Sequence, residues 1–385
     1  MEKIEDFFKI QKDNNLLRTL SPASLRLKGT IWIDSREYVD FSSNDYLGLS
    51  SHPKLKVASK KALDQFGTGS SASRLLSGDL EIFHQLEERL AVFKGKPAAL
   101  VFNSGYQANL GIVSALWGRG DVIFSDRLSH ASIIDGISLS GAKLFRFQHN
   151  DLDHLKMLLK KERNKFKAAA IITETVFSMD GDKANISEIV ILKDKYNCKL
   201  MVDEAHATGI FGQNGSGLVE EYNLADRVDL IMGTFSKALG SFGAYLACSE
   251  KVKQYLINKC RSFIYSTALP ASVIASNLAS LDLVATEPFR RKTLLDNADY
   301  FYNQLKKQGL ELRGASQIIP WIVGDSQRSV KISQELKSRG YWVLPIRPPT
   351  VPKNEARLRF SLTSEHKKQI LDKLINDVIS INRQF

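Results

Sequence analysis

The chain has 385 residues, and its 53 basic against 42 acidic residues give a formal net charge of +11. With 43% hydrophobic and 25% charged residues, its composition is typical of a soluble globular protein. The sequence lacks an apolar run of the roughly 18 residues that a membrane-spanning helix needs, and it lacks a nucleic-acid-binding motif. We therefore expect no membrane or nucleic-acid partner. The positive charge favours phosphate-bearing ligands or an acidic protein partner, or is simply a solvated surface.

Cys198, Cys248 and Cys260 are an odd set without CxxC spacing, which indicates neither a disulfide framework nor a zinc site. The N-terminal segment MEKIEDFFKIQKDNN mixes both charge signs, lacks an apolar signal core and predicts a short amphipathic helix. From these features we expect a cytoplasmic protein that binds no metal.

A chain of this length exceeds one ordinary core and predicts a large domain with a smaller companion. We place an N-terminal arm at residues 1–45, a large cofactor-binding domain at 46–285 and a small α/β domain at 286–385. Early in the large domain, the apolar spacing of Glu81–Phe93 predicts a helix with Asp79 as its N-cap.

Between residues 98 and 250, short apolar runs alternate with stretches at helical spacing. This alternation predicts an α/β fold with a mainly parallel, seven-stranded sheet between helices. The predicted strands are Ala98–Phe102, Asp121–Ser125, Lys143–Phe147, Ala168–Thr173, Lys199–Asp203, Val228–Gly233 and Ala244–Cys248. Functional residues of such a sheet gather beyond the carboxyl ends of its strands.

The small domain has a different pattern, with charged helical segments and few strands. Its predicted helices are Phe289–Gln308, Ser329–Arg339 and Ser364–Asn382, and its predicted strands include Ile318–Val323 and Ala356–Leu362. The proline-rich segment 345–352 predicts a stiff loop between strands.

The first strand ends carry signals with two interpretations. After the first strand a glycine turn opens a helix, where the backbone N–H groups of Gly105 and Tyr106 can hold a phosphate or belong to a purely structural turn. His130 follows the second strand, where a histidine either caps a helix or takes part in chemistry. Glu174 and Ser178, at the end of the fourth strand, are candidates of low specificity.

The fifth strand delivers Asp203, Glu204 and His206 to its carboxyl end. The tetrapeptide DEAH resembles the Mg²⁺ motif of helicases, but no GxxxxGK[ST] phosphate loop precedes it. Metal ligation stays open in principle, although neither HExxH nor a matched Cys/His set supports it.

Lys237 follows the sixth strand in the stretch IMGTFSKALGSFG, among glycines, small hydroxyl residues and apolar residues. Such surroundings remove water from an amine, lower its pKa and release a neutral nucleophile for an aldehyde. The alternative is a lysine that snorkels from a helix start. Lys237 lies about one strand–helix–strand unit after Asp203, which predicts that both side chains reach neighbouring strand ends.

Pyridoxal phosphate requires an amine for imine formation, an acid on the pyridine nitrogen, a flat group over the ring and donors for the phosphate. Lys237, Asp203, His130 and the first glycine turn supply these in that order, and His206 is placed to bond the ring hydroxyl. The combination predicts an enzyme that uses pyridoxal 5'-phosphate.

Ordered motifs cover nearly the whole chain: Phe41–Leu49, Gly67–Gly78, Asp126–Ala131, Phe177–Asp182, Val202–Gly209, Gly233–Gly240 and Ile264–Pro270. They resemble the α-oxoamine synthase family of pyridoxal-phosphate enzymes. The resemblance implies the transferase fold type I, which is aspartate-aminotransferase-like, and a homodimer with active sites at the subunit boundary.

The resemblance also implies roles. Lys237 is the imine-forming amine and base, Asp203 is the partner of the pyridine nitrogen, and His130 stacks on the ring and touches substrate. The other cofactor residues are His206 and Ser178 on the ring oxygen side, Gly105, Tyr106, Thr234 and Ser236 near the phosphate, and Thr267 of the partner subunit. The substrate residues are Asn44 and Arg359 for the amino-acid carboxylate, with Arg18, Arg347 and Thr350 on the acyl side.

Within the family, the segments Asn44–Gly48, Ile346–Pro352 and Ala356–Arg359 most resemble members that condense L-alanine with a pimeloyl group carried on coenzyme A or an acyl carrier protein. Members that join glycine to acetyl-coenzyme A are the alternative, and the synthases of 5-aminolevulinate and of sphingoid bases are more distant. A catalytically silent scaffold relative would lack the lysine that Lys237 matches.

Overall fold

The computed structural model describes residues 2–314 and 316–384. The chain forms two compact units. The terminal unit consists of Met1–Gly48, Ser178–Asp182 and Lys292–Phe385, and the central unit consists of Leu49–Phe177 and Lys183–Arg291. The domain boundaries derived above from the sequence stay a prediction.

Within the described residues the helices are α1 (Glu2–Asp13), α2 (Pro53–Phe66), α3 (Glu81–Lys94), α4 (Gly105–Leu116), α5 (Ala131–Ser140), α6 (Leu152–Glu162), α7 (Ile186–Lys195), α8 (Leu218–Glu221), α9 (Glu250–Lys259), α10 (Arg261–Ile264), α11 (Ala271–Thr286), α12 (Phe289–Lys307), α13 (Ser326–Ser338) and α14 (Lys368–Gln384). The strands are β1 (Ala23–Leu27), β2 (Thr30–Ile33), β3 (Arg36–Asp40), β4 (Ala98–Phe102), β5 (Val122–Asp126), β6 (Lys143–Phe147), β7 (Ala169–Glu174), β8 (Lys199–Asp203), β9 (Leu230–Thr234), β10 (Ala244–Cys248), β11 (Ile318–Gly324), β12 (Tyr341–Trp342), β13 (Pro345–Ile346) and β14 (Ala356–Ser361). Short 3₁₀ turns occur at Leu49–Ser51 and Arg163–Lys165.

The central unit is built on a seven-stranded sheet with the order β4-β10-β9-β8-β7-β5-β6. Strands β6, β5, β7, β8 and β9 pair in parallel, whereas β10 is antiparallel to both β9 and β4. The mainly parallel, seven-stranded sheet predicted from the sequence is confirmed.

Continuous apolar runs form these strands because the sheet is covered on both faces. Every residue of β4, β5, β7, β9 and β10 is buried, as expected for strands between two helical layers. Ile123, Ile172 and Leu246 of the sheet share one core cluster with Ile112 of α4 and Ile133 of α5. Burial of such a side chain stabilises the fold by roughly 1.5–3 kcal/mol.

The strand directions bring the carboxyl ends of the parallel strands to one edge of the sheet. Glu174 of β7 pairs with Asp203 of β8, and Ala244 of β10 pairs with both Phe102 of β4 and Thr234 of β9. Because β10 is antiparallel to both neighbours, β4 and β9 run in the same direction. The loops after β4, β7, β8 and β9 therefore leave the sheet at a common edge.

The predicted helix at Glu81–Phe93 occurs as α3, but its predicted N-cap is wrong. The N-cap residue is Leu80, which makes no side-chain capping bond. The carboxylate of Asp79 instead accepts hydrogen bonds from Arg74 (2.6 Å) and His84 (2.8 Å). The two hydrogen bonds from these side chains compete here with a single bond to a backbone N–H.

The terminal unit contains two smaller sheets. One has the order β1-β2-β3-β12 and the other the order β11-β14-β13. The predicted amphipathic helix at the N-terminus is confirmed as α1. In the proline-rich segment, the first two residues form β13 and pair with β14, so the predicted loop is shorter than the segment.

Cys198, Cys248 and Cys260 are buried and have free thiols. Burial raises the pKa of Cys198 to about 11 and that of Cys248 to about 12. Residues 2–314 and 316–384 contain no group of three or more His, Cys, Asp or Glu side chains arranged for a metal ion.

Every helix in the described part of the chain falls short of the length and apolarity that membrane crossing requires.

Candidate active site

Lys237 lies in a closed turn directly after β9. The backbone N–H of Phe235 donates to the carbonyl of Gly243 (2.9 Å), and that of Gly240 donates to the carbonyl of Lys237 (2.9 Å). Gly240 has φ of +63°, and a Cβ atom there would lie 2.4 Å from the backbone nitrogen of Ser50. Only glycine fits this position, so the glycines around the lysine lock its turn.

The amine of Lys237 contacts an imidazole. Its Nζ lies 2.7 Å from Nε2 of His206, and the His206 side chain is buried. Lys237 itself is half-buried. The structure thus brings together the predicted nucleophile and a histidine from the loop after β8, where a proton can pass between nitrogen atoms.

Asp203, the last residue of β8, is held by two donors. Its Oδ2 accepts from Nδ2 of Asn109 (2.9 Å), and its Oδ1 accepts from the backbone N–H of Ala205 (2.8 Å). The residue is only 6% exposed. A buried carboxylate with both oxygens engaged has one orientation, which suits it to bind a cationic ring nitrogen.

His130 is the N-cap residue of α5 and has an exposed side chain. The ring has lost part of its water, and this loss lowers its pKa below the ordinary value. The charge of Asp203 acts in the opposite direction, and that of Lys237 acts in the same direction. His130 is therefore neutral at pH 7. The charges of Lys237 and Asp203 thus both reach the ring of His130.

Glu174, the last residue of β7, is fully buried beside Asp203. Burial, and then the charge of Asp203, raise its pKa to about 8, although Lys237 and the backbone N–H of His130 act in the opposite direction. Its Oε1 has no hydrogen-bond partner among the described residues. A carboxyl group that keeps its proton at neutral pH has an O–H to donate. Glu174 is therefore a stronger candidate for a functional residue of this site than its sequence context indicates.

We expect Glu174→Gln to remove a pH-dependent loss of stability. Between the ordinary carboxyl pKa and the folded-state pKa of about 8, the folded chain binds one more proton than the unfolded chain. The free energy of unfolding therefore falls as the pH rises through this window, by up to about 1.4 kcal/mol per pH unit. Urea unfolding of the cofactor-free protein from about pH 5 to about pH 8 measures the slope.

The Glu174→Gln variant should show a flatter dependence on pH, because the amide does not titrate. Glu188→Gln, which changes an exposed glutamate of α7, should keep the wild-type slope. Parallel curves for wild type and Glu174→Gln would contradict the raised pKa.

The predicted phosphate-binding residues lie at two of the strand ends. Gly105 is the first residue of α4, and a Cβ atom there would come within 3.1 Å of Met232. The hydroxyl of Thr234 lies 2.8 Å from that of Ser236, on the turn that carries Lys237. The Tyr106 hydroxyl donates to Asp135. Free N–H groups at a helix start, together with two hydroxyls, are a suitable donor set for a phosphate.

Thr267 has an exposed side chain in the central unit. It pairs with Ser73 in an isolated β-bridge, and its carbonyl accepts from Nδ2 of Asn103 (2.7 Å). These bonds engage the backbone of Thr267 and leave its hydroxyl on the surface.

The terminal unit brings together Arg359, Asn44 and Ser178. Both terminal nitrogens of Arg359 lie 3.3 Å from Oδ1 of Asn44, and its Nε donates to the carbonyl of Ser178 (2.6 Å). Tyr46 adds its hydroxyl at 3.3 Å. The guanidinium is 7% exposed and has neutral partners among these residues, so its charge is available for a carboxylate.

A second buried arginine anchors the segment that contacts Arg359. Arg357 of the same strand donates to Asp180 (2.7 Å), two residues beyond Ser178. Gly181 has φ of +67°, and a Cβ atom there would lie 2.1 Å from the carbonyl oxygen of Ile318. The motif FSMDGD is therefore needed for its turn as well as for Ser178.

The predicted acyl-side residues also lie together in the terminal unit. Arg18 donates to the hydroxyl of Thr350 (2.9 Å), and Arg347 donates to the carbonyls of Asn15 and Leu17. Burial lowers the pKa of Arg347, and the neighbouring charge of Arg18 lowers it further. The positive charges of Arg18 and Arg347 therefore act on each other in this part of the terminal unit.

Sequence reasoning missed Asn109 and Ser132. Both are fully buried, and they join Asp203 to His130 through hydrogen bonds. Asn109 lies on the apolar face of α4 beside Ala108 and Ile112, and a polar residue at a core position is the signal that could have indicated it.

The residues of the central unit fit pyridoxal phosphate. They supply an amine at Lys237, an oriented carboxylate at Asp203, an exposed imidazole at His130 and N–H donors at the start of α4. The buried Oε1 of Glu174, without a partner among the described residues, is a further polar atom for a bound group. This donor set matches an aldehyde cofactor with a cationic ring nitrogen.

The sequence matches the family model for aminotransferase class I and II over residues 36–378. A curated relative from Geotalea daltonii, named 8-amino-7-oxononanoate synthase, is 46% identical over 372 residues, which are 96% of this chain and 95% of the relative.

Two solved structures also resemble this chain over most of its length. The serine palmitoyltransferase of S. paucimobilis, described with a bound PLP–myriocin aldimine, has a TM-score of 0.93 at 30% identity and covers 99% of this chain and 97% of its own. The 8-amino-7-oxononanoate synthase of Francisella tularensis has a TM-score of 0.79 at 31% identity, with coverage of 90% and 98%. These likenesses confirm the predicted fold type I and the family resemblance.

Proposed function

This chain belongs to the aminotransferase class I and II family, and from that membership we propose that it is a pyridoxal-phosphate-dependent 8-amino-7-oxononanoate synthase of biotin biosynthesis. The reaction joins Cα of L-alanine to the carbonyl carbon of a pimeloyl thioester. The thiol carrier leaves, and the alanine carboxylate departs as CO2. The observation that carries the proposal is the 2.7 Å contact between the Lys237 amine and Nε2 of His206. The charges of Lys237 and Asp203 also both act on the ring of His130.

Bound pyridoxal phosphate supplies an electron sink for the carbanion at the alanine Cα. Asp203 would keep the ring nitrogen of the bound cofactor protonated, and the imidazole of His130 would lie over the ring. Lys237 would hold the cofactor covalently and move the Cα proton. His206 would bond the ring hydroxyl, and its Nε2, 2.7 Å from the Lys237 amine, could exchange that proton with it. Ser178 serves the ring oxygen, and Gly105, Tyr106, Thr234 and Ser236 bind the phosphate.

Arg359 and Asn44 bind the alanine carboxylate. An arginine fork gives two parallel charge-assisted bonds, which orient the bond that is to break. The two bonds from Arg359 to one amide oxygen of Asn44, both 3.3 Å, are long and are replaced at little cost by a carboxylate.

Arg18, Arg347 and Thr350 favour a pimeloyl over an acetyl thioester. A pimeloyl group ends in a carboxylate, which relieves the repulsion between the two guanidinium groups. An acetyl group has no such charge. The acyl carrier is coenzyme A or an acyl carrier protein, and both are acidic partners for a chain of net charge +11.

A thioester panel tests the proposal. We expect thiol release with L-alanine and pimeloyl-coenzyme A or pimeloyl-acyl carrier protein to exceed release with heptanoyl-coenzyme A by roughly 10- to 100-fold in kcat/KM, because only pimeloyl carries a terminal carboxylate. In Arg347→Leu this preference should shrink. A preference for glycine with acetyl-coenzyme A would instead identify a 2-amino-3-ketobutyrate coenzyme A ligase.

We propose a cytoplasmic homodimer. Leu76 and Tyr265 are 80% and 72% exposed, and Leu75 is 49% exposed. Their segments meet where Ser73 pairs with Thr267. Exposed apolar side chains grouped in this way favour a protein interface, and Thr267 of the partner subunit then reaches the phosphate. Sedimentation of the holoenzyme as a monomer would contradict this arrangement.

A further inference from the structure

Asn109 donates both hydrogens of its side-chain amide to neighbouring groups. Nδ2 donates to Oδ2 of Asp203 (2.9 Å) and to the hydroxyl of Ser132 (3.0 Å), and Asn109 is 1% exposed. Its Oδ1 is buried without a partner among the described residues. A flipped amide would point Oδ1 at the carboxylate of Asp203, so the observed orientation is the one that electrostatics permits. The unpaired oxygen costs folding free energy, which indicates a purpose other than stability.

Ser132 determines which nitrogen of His130 carries the hydrogen. The backbone N–H of Ser132 donates to Nδ1 of His130 (3.2 Å), so this nitrogen has a lone pair. The Ser132 hydroxyl lies 2.7 Å from the same nitrogen. Because its oxygen already accepts from Asn109, its hydrogen is directed to Nδ1. A neutral imidazole with an accepting Nδ1 has its hydrogen on Nε2.

We propose that Asn109 and Ser132 form a positioning relay that orients the carboxylate of Asp203 and fixes His130 as the Nε2–H tautomer. The relay rests on the proposed function, since it serves the cofactor ring and the substrate that lies on it. Neither residue touches the reacting atoms. One amide thereby couples the group that binds the ring nitrogen with the group that stacks on the ring and donates to substrate.

The relay predicts a spectroscopic effect. In Asn109→Leu, Asp203 loses a donor, and in Ser132→Ala, His130 loses one. In both variant holoenzymes, we expect the pH titration of the cofactor absorbance, measured without substrate, to be shifted relative to wild type. In Ser132→Ala the acidic limb of the pH profile of kcat/KM should move to higher pH by about 0.4 to 1 pH unit. A shift of this size corresponds to the free energy of one hydrogen bond.

Activity should follow the same pattern. We expect kcat/KM to fall on the order of 10- to 100-fold in each variant, as it does for other groups that orient a functional side chain. In the double variant the losses should be less than additive, because both residues act through one relay. Ser280→Ala, which also removes a fully buried hydroxyl of the central unit, should match wild type in absorbance and pH profile.

Absorbance titrations and pH profiles that superimpose on those of wild type would overturn the relay. If Asn109→Leu does not fold, Ser132→Ala decides alone, since it removes a single oxygen atom. The titration uses no substrate. A wild-type enzyme that prefers another amino acid or thioester would therefore refute the proposed function while leaving the relay to be judged by its own result.

Discussion

We expect the Lys237→Ala variant to lose at least about 10⁴-fold in kcat, because it removes both the amine that binds an aldehyde and the base that moves the Cα proton. His206 remains in place, but its Nε2 loses the nitrogen that lies 2.7 Å away. Wild-type protein reduced with borohydride should gain the mass of the reduced cofactor on the peptide that contains residue 237. The variant should bind the cofactor without this covalent bond.

Lys96→Ala is the matched control for loss of a lysine in the same unit. Lys96 is half-buried, donates to the carbonyls of Ala225 (3.0 Å) and Val228 (2.8 Å), and has a pKa that burial lowers. This variant should keep its absorbance and most of its kcat. A Lys237→Ala enzyme that still carries covalent cofactor, or that turns over like wild type, would refute the assignment of the nucleophile.

For Asp203→Asn we expect kcat to fall by roughly 10²- to 10³-fold, the size of loss seen when one preorganised electrostatic group is removed. The amide is nearly isosteric with the carboxylate but does not keep a ring nitrogen protonated. Because Arg359 binds the alanine carboxylate in our proposal, KM for alanine should change little. Steady-state kinetics at saturating thioester measures kcat and KM separately.

Asp229→Asn provides the comparison for Asp203→Asn. Asp229 also accepts from a backbone N–H, that of Leu200 (2.9 Å), and from Lys199 (2.8 Å), and its pKa is lowered overall by these contacts against the effect of burial. Its replacement should reduce stability and leave the cofactor absorbance unchanged. A large rise in KM for alanine without loss of kcat in Asp203→Asn would mean that this carboxylate binds substrate and not the ring.

The strands of the central sheet could be predicted because each is a short apolar run with a turn at both ends. Four of them, for example β4 and β8, begin and end at the predicted residues. The N-cap of α3 could not be predicted, since Asp79 has a choice between a local backbone N–H and the side chains of Arg74 and His84. That choice depends on where those side chains lie in the folded chain.

Some residues of the candidate site could likewise be predicted from the sequence, and others could not. Lys237, Asp203 and His206 could be identified because each lies at or shortly after the end of a strand whose carboxyl end reaches the common edge of the sheet. Asn109 and Ser132 lie within or at the start of helices, where a polar residue has no distinctive spacing. Glu174 was visible at a strand end, but its raised pKa depends on burial beside Asp203, which no local pattern expresses.

The amino-acid sequence by itself determined the order of strands and helices and the residues that follow each strand, because local apolar periodicity and turn-forming glycines act over a few positions. Only the tertiary structure decided that Asn109 orients Asp203, that Glu174 keeps its proton, and that Ser132 leaves the hydrogen of His130 on Nε2. The first two properties depend on hydrogen bonding and loss of water between residues far apart in the chain. The third depends on the bond that Asn109 donates to Ser132, 23 positions away, and such contacts exist only after folding.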